Sequence, residues 1–331
     1  MKSLLRFLVI KRNSNLQYSE PTKNDSGFTM IELLVGAILT FLIISPLMGF
    51  VVSILNDDRV EQVKTTTDQE MKTALDYITE DVSQAIHIYN QTGVTAIANQ
   101  LPTVANGTPI LVFWKRQLIQ DALPVVSTNQ PVDCVDNNYR DCNDTFVLSL
   151  VAYYLIEGNN DNTWCQPQGT AAAQCPSRIA RFQIQDGVDW SGGTCEPNST
   201  ECQQSQRRDA GFEAPDDLKK APNTWTKTAE AYTKTPEVLV NYIDQSTANV
   251  PAAPNCQNIL SSTTAEILTT NSNSFLACVD TEQNLAYISL RGNALRRFKT
   301  NANDIVYNAD KTAYFPTYST TVKGISRLGG D

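Results

Sequence analysis

A single acidic side chain, Glu32, interrupts an otherwise apolar run that extends from Phe28 to Leu55. As a helix this run is long enough to cross a bilayer, whose hydrocarbon core takes ~20 residues. A carboxylate inside such a helix costs about 2.5–3.5 kcal/mol at the bilayer centre, and less near the helix end, where it reaches toward the headgroups. Because intramembrane acids usually have a functional partner, Glu32 is the first candidate for a functional residue.

The partner of Glu32 can be a second copy of the chain. Cleavage of the Gly27–Phe28 bond would leave Phe28 as a new N-terminus with a free amine, and Glu32 would be the fifth residue of the shortened chain. When helices pack side by side with a stagger, the amine of one copy can neutralise the carboxylate of its neighbour. An ordinary signal-anchor helix is the alternative interpretation of the same run.

The eight cysteines form sequential neighbours along the chain: Cys134/Cys142, Cys165/Cys175, Cys195/Cys202 and Cys256/Cys278. Sequence does not fix their connectivity, but we expect the local pairs, because each closes a short loop in polar chain. Disulfides require an oxidising compartment. Zinc is the competing interpretation, although the chain has no Cys-x-x-Cys pair and its only histidine is His87.

Catalytic sequence motifs are missing: the chain has no G-x-S-x-G, P-loop or H-E-x-x-H pattern. We therefore expect no enzymatic activity and no cofactor. Two acidic loops, Asp133–Asp144 and Glu157–Asn162, could hold calcium through their oxygens, with disulfide-pinned turns as the preferred interpretation. His87 is predicted to be a domain-facing or exposed helix residue rather than a catalyst.

A basic cluster near the C-terminus could contact nucleic acid or polysaccharide; its members are Arg291, Arg296, Arg297 and Lys299. Only Phe298 is interleaved with these cations, so a solvated strand end is the simpler interpretation. The acidic character of the chain, with a net charge of −9, also argues against a nucleic-acid partner.

The helical pattern continues beyond the apolar run as an amphipathic stretch from Asn56 to about Tyr89, with apolar residues three or four apart. Asp81 and the other charged residues of this stretch are assigned to its polar face. Pro46, inside the apolar run, removes one backbone hydrogen bond and predicts a kink or local melting.

Beyond residue 90 the pattern predicts strands and loops. Six segments are rich in β-branched and aromatic residues: Ile110–Trp114, Phe146–Ile156, Arg178–Gln185, Glu237–Ile243, Phe275–Val279 and Leu285–Leu290. The segment 187–236 is a long loop with little periodicity, of the kind that is functional or disordered. Residues 315–331 are predicted to be a loose tail.

Charge is divided unevenly along the chain. Residues 1–27 carry five basic and two acidic side chains, a net charge of +3, whereas the remainder carries −12. A basic segment before the span places the leader in the cytoplasm and the bulk of the chain outside.

The block Gly27-Phe28-Thr29-Met30-Ile31-Glu32-Leu33, with the apolar run behind it, resembles the leader and N-terminal helix of type IV prepilins and pseudopilins. The resemblance implies cleavage after Gly27 by a prepilin peptidase, N-methylation of Phe28, and guidance of filament assembly by Glu32. It also implies other pilins or pseudopilins and an inner-membrane assembly platform as partners.

A second, weaker resemblance lies in the spacing Met71-x-x-Ala74-Leu75-x-x-Ile78-x-x-Asp81-Val82-x-x-Ala85, which is similar to the J/W group of minor pseudopilins and minor pilins. The long leader, acidic head and cysteine-rich inserts are similar to the pseudopilins of the hormogonium polysaccharide secretion system of filamentous cyanobacteria. Roles in polysaccharide export and gliding would follow.

Together these features predict an α+β fold: a long N-terminal helix, membrane-spanning and then amphipathic, packed on an antiparallel β-sheet head with disulfide-closed loops. The expected divisions are a leader over 1–27, a membrane half over 28–55, an amphipathic half over 56–90 and an extracytoplasmic head over 91–331. The expected function is a minor pilin or pseudopilin that primes or caps a filament. A type II secretion pseudopilin, an adhesin that binds through 187–236 and an anchored enzyme are the alternatives.

Overall fold

The structure, a computed structural model, describes residues 27–124, 142–158, 163–165, 175–188, 208–218 and 221–325. The chain divides into two compact units, residues 1–58 and residues 59–331. A long helix, α1 (Met30–Ser83), begins in the first unit, and its C-terminal part belongs to the second unit together with two short helices and antiparallel sheets. The α+β architecture predicted from the sequence is confirmed.

Helix α1 is 54 residues long and remains helical through Pro46, so the local melting predicted there is not found. It ends at Ser83, earlier than the predicted end near Tyr89. The reason is that Ala85–Ile88 pairs as a strand with a neighbouring strand, where Ile88 lies opposite Phe113. Sheet pairing therefore overrides the helical pattern over these residues.

The larger sheet has five antiparallel strands in the order β1-β2-β3-β4-β5. Their bounds are β1 Ala85–Ile88, β2 Gly107–Pro124, β3 Cys142–Ile156, β4 Ser177–Gln185 and β5 Glu237–Ile243. The strand order follows the chain order, as expected for antiparallel neighbours joined by loops. Helix α2 (Gln91–Ile97) connects β1 to β2, and the Asn90 side chain caps it by accepting a hydrogen bond from the Gly93 N–H.

The second sheet has four antiparallel strands: β6 (Glu266–Thr269), β7 (Phe275–Asp280), β8 (Leu285–Arg291) and β9 (Thr317–Lys323). All six strands predicted from the sequence are present in the two sheets. Strand β9 corrects the prediction of a loose tail over 315–331, because Thr317–Lys323 pairs along the whole of β8. A short helix, α3 (Cys256–Leu260), precedes β6.

The core of the second unit lies between one face of α1 and the two sheets. The buried apolar residues of α1 are Met71, Ala74, Leu75, Ile78 and Val82, which repeat every three or four positions. Gly292 allows a close approach to this face, since a Cβ added there would lie 2.8 Å from the Met71 Cγ. The predicted apolar stripe therefore packs as expected.

The described parts of the segment 187–236 are packed into the core rather than free. Phe212 and Trp225 are buried against Trp114 of β2, with ring centroids 5.8 and 5.6 Å apart. The Trp114 Nε1–H donates to the Tyr89 hydroxyl, which donates in turn to the Pro222 carbonyl, both over 2.9 Å. Residues 208–218 and 221–236 thus help to complete the core beside β2.

Two of the four expected disulfides join described residues, Cys165–Cys175 and Cys256–Cys278. The second bond connects α3 to β7. The other two expected pairs include Cys134, Cys195 and Cys202, which lie outside the described residues.

Candidate functional site

Thr29 caps the N-terminal end of α1 and bonds to Glu32 through both its backbone and its side chain. Thr29 precedes the first helical residue, and its carbonyl and Oγ1 accept from the Glu32 N–H at 3.0 and 3.3 Å. The Thr29 hydroxyl also donates to Glu32 Oε2 over 3.4 Å. Thr29-x-x-Glu32 is the sequence signature of such a cap. Thr29 is thus a residue that the sequence analysis missed, although this spacing signals it.

The capping arrangement holds the Glu32 carboxylate in the first turn, where the helix dipole favours negative charge. Glu32 is nevertheless exposed. An amine approaching this end of α1 from outside the chain can therefore reach the carboxylate, which is the chemistry that the sequence predicts for it.

The apolar run behind Glu32 has no buried residue in the structure. Phe28 is 83% exposed and Met30 93%, and the other large apolar side chains up to Leu55 are at least 42% exposed. By length and composition, α1 is the one helix of the described chain that could cross a membrane. Burying apolar surface is favourable by about 25 cal/mol per Å², so these side chains require lipid or another protein around them.

No contact among the described residues requires a glycine at position 27. A Cβ added there meets nothing within 4 Å, and its φ lies outside the left-handed region. Among the described residues, neither packing nor backbone conformation explains this glycine.

The most extensive ion cluster of the head centres on Asp81 of α1. Its Oδ1 accepts from the Lys115 Nζ at 2.6 Å and from the Arg181 Nη2 at 3.2 Å. Its Oδ2 accepts from the Tyr153 hydroxyl and from the Arg181 Nε, both at 2.7 Å. Asp81 is 5% exposed. The assignment of Asp81 to the polar face was therefore wrong: it ties α1 to β2, β3 and β4.

Burial raises the pKa of the Asp81 carboxyl, but hydrogen bonds and charge attraction from Arg181 and Lys115 outweigh burial and hold the pKa below its usual value. Burial, followed by the Asp81 charge, raises the pKa of the Tyr153 phenol, which therefore stays a hydrogen-bond donor. At neutral pH the Asp81 carboxyl is therefore charged, and it joins α1 to the sheet. Both of its oxygens accept hydrogen bonds, so neither is free for catalysis.

The predicted solvated basic cluster is wrong for three of its four residues. Arg291 is buried and donates to Asp244 Oδ2 at 3.0 Å. Arg297 is paired with Glu70 of α1 and donates to the Thr67 hydroxyl at 2.8 Å. Burial lowers the pKa of Arg296 to about 10. Arg291 and Arg297 were mistaken for surface charges because their partners Asp244 and Glu70 are distant in sequence. Of the four cations, only Lys299 is exposed.

His87 lies on β1, where it is buried with its ring edge-on to Tyr89 at 4.8 Å, so its predicted place on a helix is wrong. The two loops considered for calcium fall largely outside the described residues. Within the described ranges, no three His, Cys, Asp or Glu side chains form a group that could hold a metal ion.

Gly27, Phe28 and Glu32 therefore lie together at the exposed start of α1, whereas Asp81 and the arginines form the interior of the head. The described residues bring no second titratable group to Glu32. Comparison with family models, with curated proteins and with solved structures found no match for this chain.

Proposed function

We propose that the chain is a pilin-like minor subunit that primes or caps a filament. A prepilin peptidase removes residues 1–27, Phe28 becomes the methylated N-terminus, and residues 28–55 hold the subunit in the cytoplasmic membrane until the assembly platform takes it up. The observation that carries the proposal is Glu32: it is the sole ionisable residue of a fully exposed apolar run, held in the capped first turn of α1.

The physical reason is charge neutralisation in lipid. Each copy brings one costly carboxylate into the membrane, and cleavage after Gly27 creates one amine four residues before it. In a staggered pair, the amine of one copy would neutralise the carboxylate of its neighbour. Without the stagger, these two groups would stay unpaired. The pairing therefore favours one register among many that purely apolar helices could adopt.

The specific pathway in the proposal is polysaccharide secretion and gliding. It is supported by the resemblance of the long basic leader, the acidic head and the cysteine-rich inserts to the pseudopilins of hormogonium polysaccharide secretion. A type II secretion pseudopilin would share the processing and assembly chemistry, and the adjacent genes would separate the two.

An adhesin that binds through residues 187–236 is less well supported. Phe212 and Trp225, inside that segment, are buried in the core of the head. Removing the segment would therefore disturb folding, and its described parts do not form a free binding loop.

The test is incorporation of a Glu32→Ala subunit into the filament, with Glu61→Ala as the matched control. Glu61 is an exposed acid of the same helix outside the apolar run. We expect Glu32→Ala to remain in the membrane with a folded head and to be lost from sheared filaments, and Glu61→Ala to be incorporated normally. Full incorporation of Glu32→Ala would contradict the proposal.

A further inference from the structure

A groove of about 720 Å³ lies between the head portion of α1 and the edge strand β5. Its size is within the range of about 300–1,000 Å³ that pockets for drug-sized ligands occupy. The helix side contributes Gln69, Thr73 and Tyr77, and the other side contributes Trp164, Asn241 and Tyr242. All of these residues belong to the second unit, and no role in assembly has been assigned to them.

The groove combines aromatic faces with uncharged hydrogen-bonding groups. Tyr77 is 45% exposed, so part of its ring can be reached from the groove. Amides and hydroxyls are interspersed with the rings, and each of them both donates and accepts hydrogen bonds. A ligand that fits must therefore present apolar faces and many hydroxyl-like groups side by side.

The charge of the lining residues further restricts the class of ligand that the groove can bind. Of the residues that line the groove, only Glu70 is ionisable at neutral pH, and Arg297 neutralises it. The guanidinium of Arg297 also lies 4.0 Å from the ring centroid of Tyr242. No uncompensated charge is left among the lining residues to attract phosphate, nucleic acid or an acidic peptide.

Asn241 holds Trp164 in place at this wall of the groove. Its Nδ2 donates to the Trp164 carbonyl at 3.2 Å. The Asn241 Oδ1 is buried and therefore not offered to a ligand in the groove.

An extended peptide fits the groove less well, because the free edge of β5 is short. The Asn293 N–H donates to the Tyr242 carbonyl at 2.8 Å, and the Asp244 N–H donates to the Arg291 carbonyl at 3.0 Å. These two hydrogen bonds occupy the C-terminal end of the free edge of β5. A peptide strand could therefore pair only with the first residues of β5.

We infer that the groove between α1 and β5 binds a neutral saccharide, whose C–H faces stack on Tyr77, Trp164 and Tyr242 and whose hydroxyls bond to Gln69 and Thr73. The inference goes beyond filament assembly and concerns the head alone. A subunit that cannot assemble should therefore still bind the sugar.

The test is calorimetric titration of the full chain with a panel of neutral glucan, xylan and mannan oligosaccharides. The detergent must have no sugar headgroup, since a maltoside would compete; an amine oxide serves. We expect at least one oligosaccharide to bind, and Tyr77→Ala to weaken it about tenfold through the lost stacking surface. Thr73→Trp, at an exposed helix position, should block the groove without disturbing the core.

Phe146→Ala is the matched control, since Phe146 is an exposed aromatic residue that does not line the groove. It should bind as the unchanged chain does, and so should Glu32→Ala, which separates this inference from the proposed assembly role. The inference is overturned if no neutral oligosaccharide binds, if Tyr77→Ala and Thr73→Trp bind as well as the unchanged chain, or if an uncharged extended peptide occupies the groove instead.

Discussion

At the scale of single residues, Asp81 connects α1 to three strands of the head. Its carboxylate is almost fully buried and accepts hydrogen bonds from side chains of three strands. A buried ion pair adds little net stability compared with an apolar replacement of both partners, but removing one partner leaves the others buried and uncompensated. The consequence is a strong dependence of stability on this one side chain.

Replacement of Asp81 by Asn should lower the free energy of unfolding by about 3–5 kcal/mol, because Lys115 and Arg181 then stay buried without a counter-charge. Urea denaturation followed by tryptophan fluorescence measures the change. Asp76→Asn is the matched control, an exposed acid on the same helix, and it should alter stability by less than about 0.5 kcal/mol. Equal stability of the two variants would mean that the Asp81 cluster is not a joint.

The pH dependence follows from the direction of the Asp81 shift. Its pKa is lower in the folded than in the unfolded chain, so its contribution is fully present above the unfolded pKa of about 3.9 and is lost as the pH falls through the folded value. The stability difference between the unchanged chain and Asp81→Asn should therefore be constant from pH 7 to 5 and shrink below about pH 4. Urea midpoints at these pH values measure it; a constant difference at every pH would contradict the assignment.

Sequence reasoning could find Glu32 but not the role of Asp81. Glu32 stands out because its neighbours in the chain are all apolar. Asp81 is one of several acids on an amphipathic helix, and its partners Lys115 and Arg181 are 34 and 100 residues away. An amphipathic helical pattern predicts that charged residues face solvent. The cations reach Asp81 only because the folded sheet places them beside the helix.

At the scale of elements, tertiary pairing decides where local patterns are ambiguous. The six predicted strands are all present because their β-branched and aromatic residues face the core. Of the three further strands, β6 was not predicted, whereas β1 and β9 were assigned to the helix and to a loose tail. Both gain their hydrogen bonds from distant neighbours, β2 and β8, which single-segment patterns do not reveal.

The segment 208–225 should depend on its aromatic anchor. Trp225 is 5% exposed, lies edge-on to Trp114 and donates from Nε1 to the Glu213 carbonyl at 2.8 Å. Trp225→Ala should cost about 3–5 kcal/mol through lost burial and the cavity left behind. Thermal unfolding measures it against Phe146→Ala, an exposed aromatic residue whose loss should cost little. Comparable losses for both would show that the segment is not anchored.

At the scale of the whole molecule, the two units require different surroundings. The described residues of the first unit expose nearly every apolar side chain, whereas those of the second unit form a buried core and include two disulfides. A basic leader before the run and an acidic head after it agree with a single membrane crossing. The apolar run could be predicted from composition, whereas the groove between α1 and β5 could not, since it joins residues 66–77, 163–164 and 238–242.

The most direct measurement is the mass of the N-terminal peptide of the mature protein, isolated from its own cells and analysed by tandem mass spectrometry. We predict a peptide that begins at Phe28 with one added methyl group, and its absence in cells that lack prepilin peptidase. A mature protein that still carries Met1 or any part of residues 1–27 in peptidase-competent cells would contradict it.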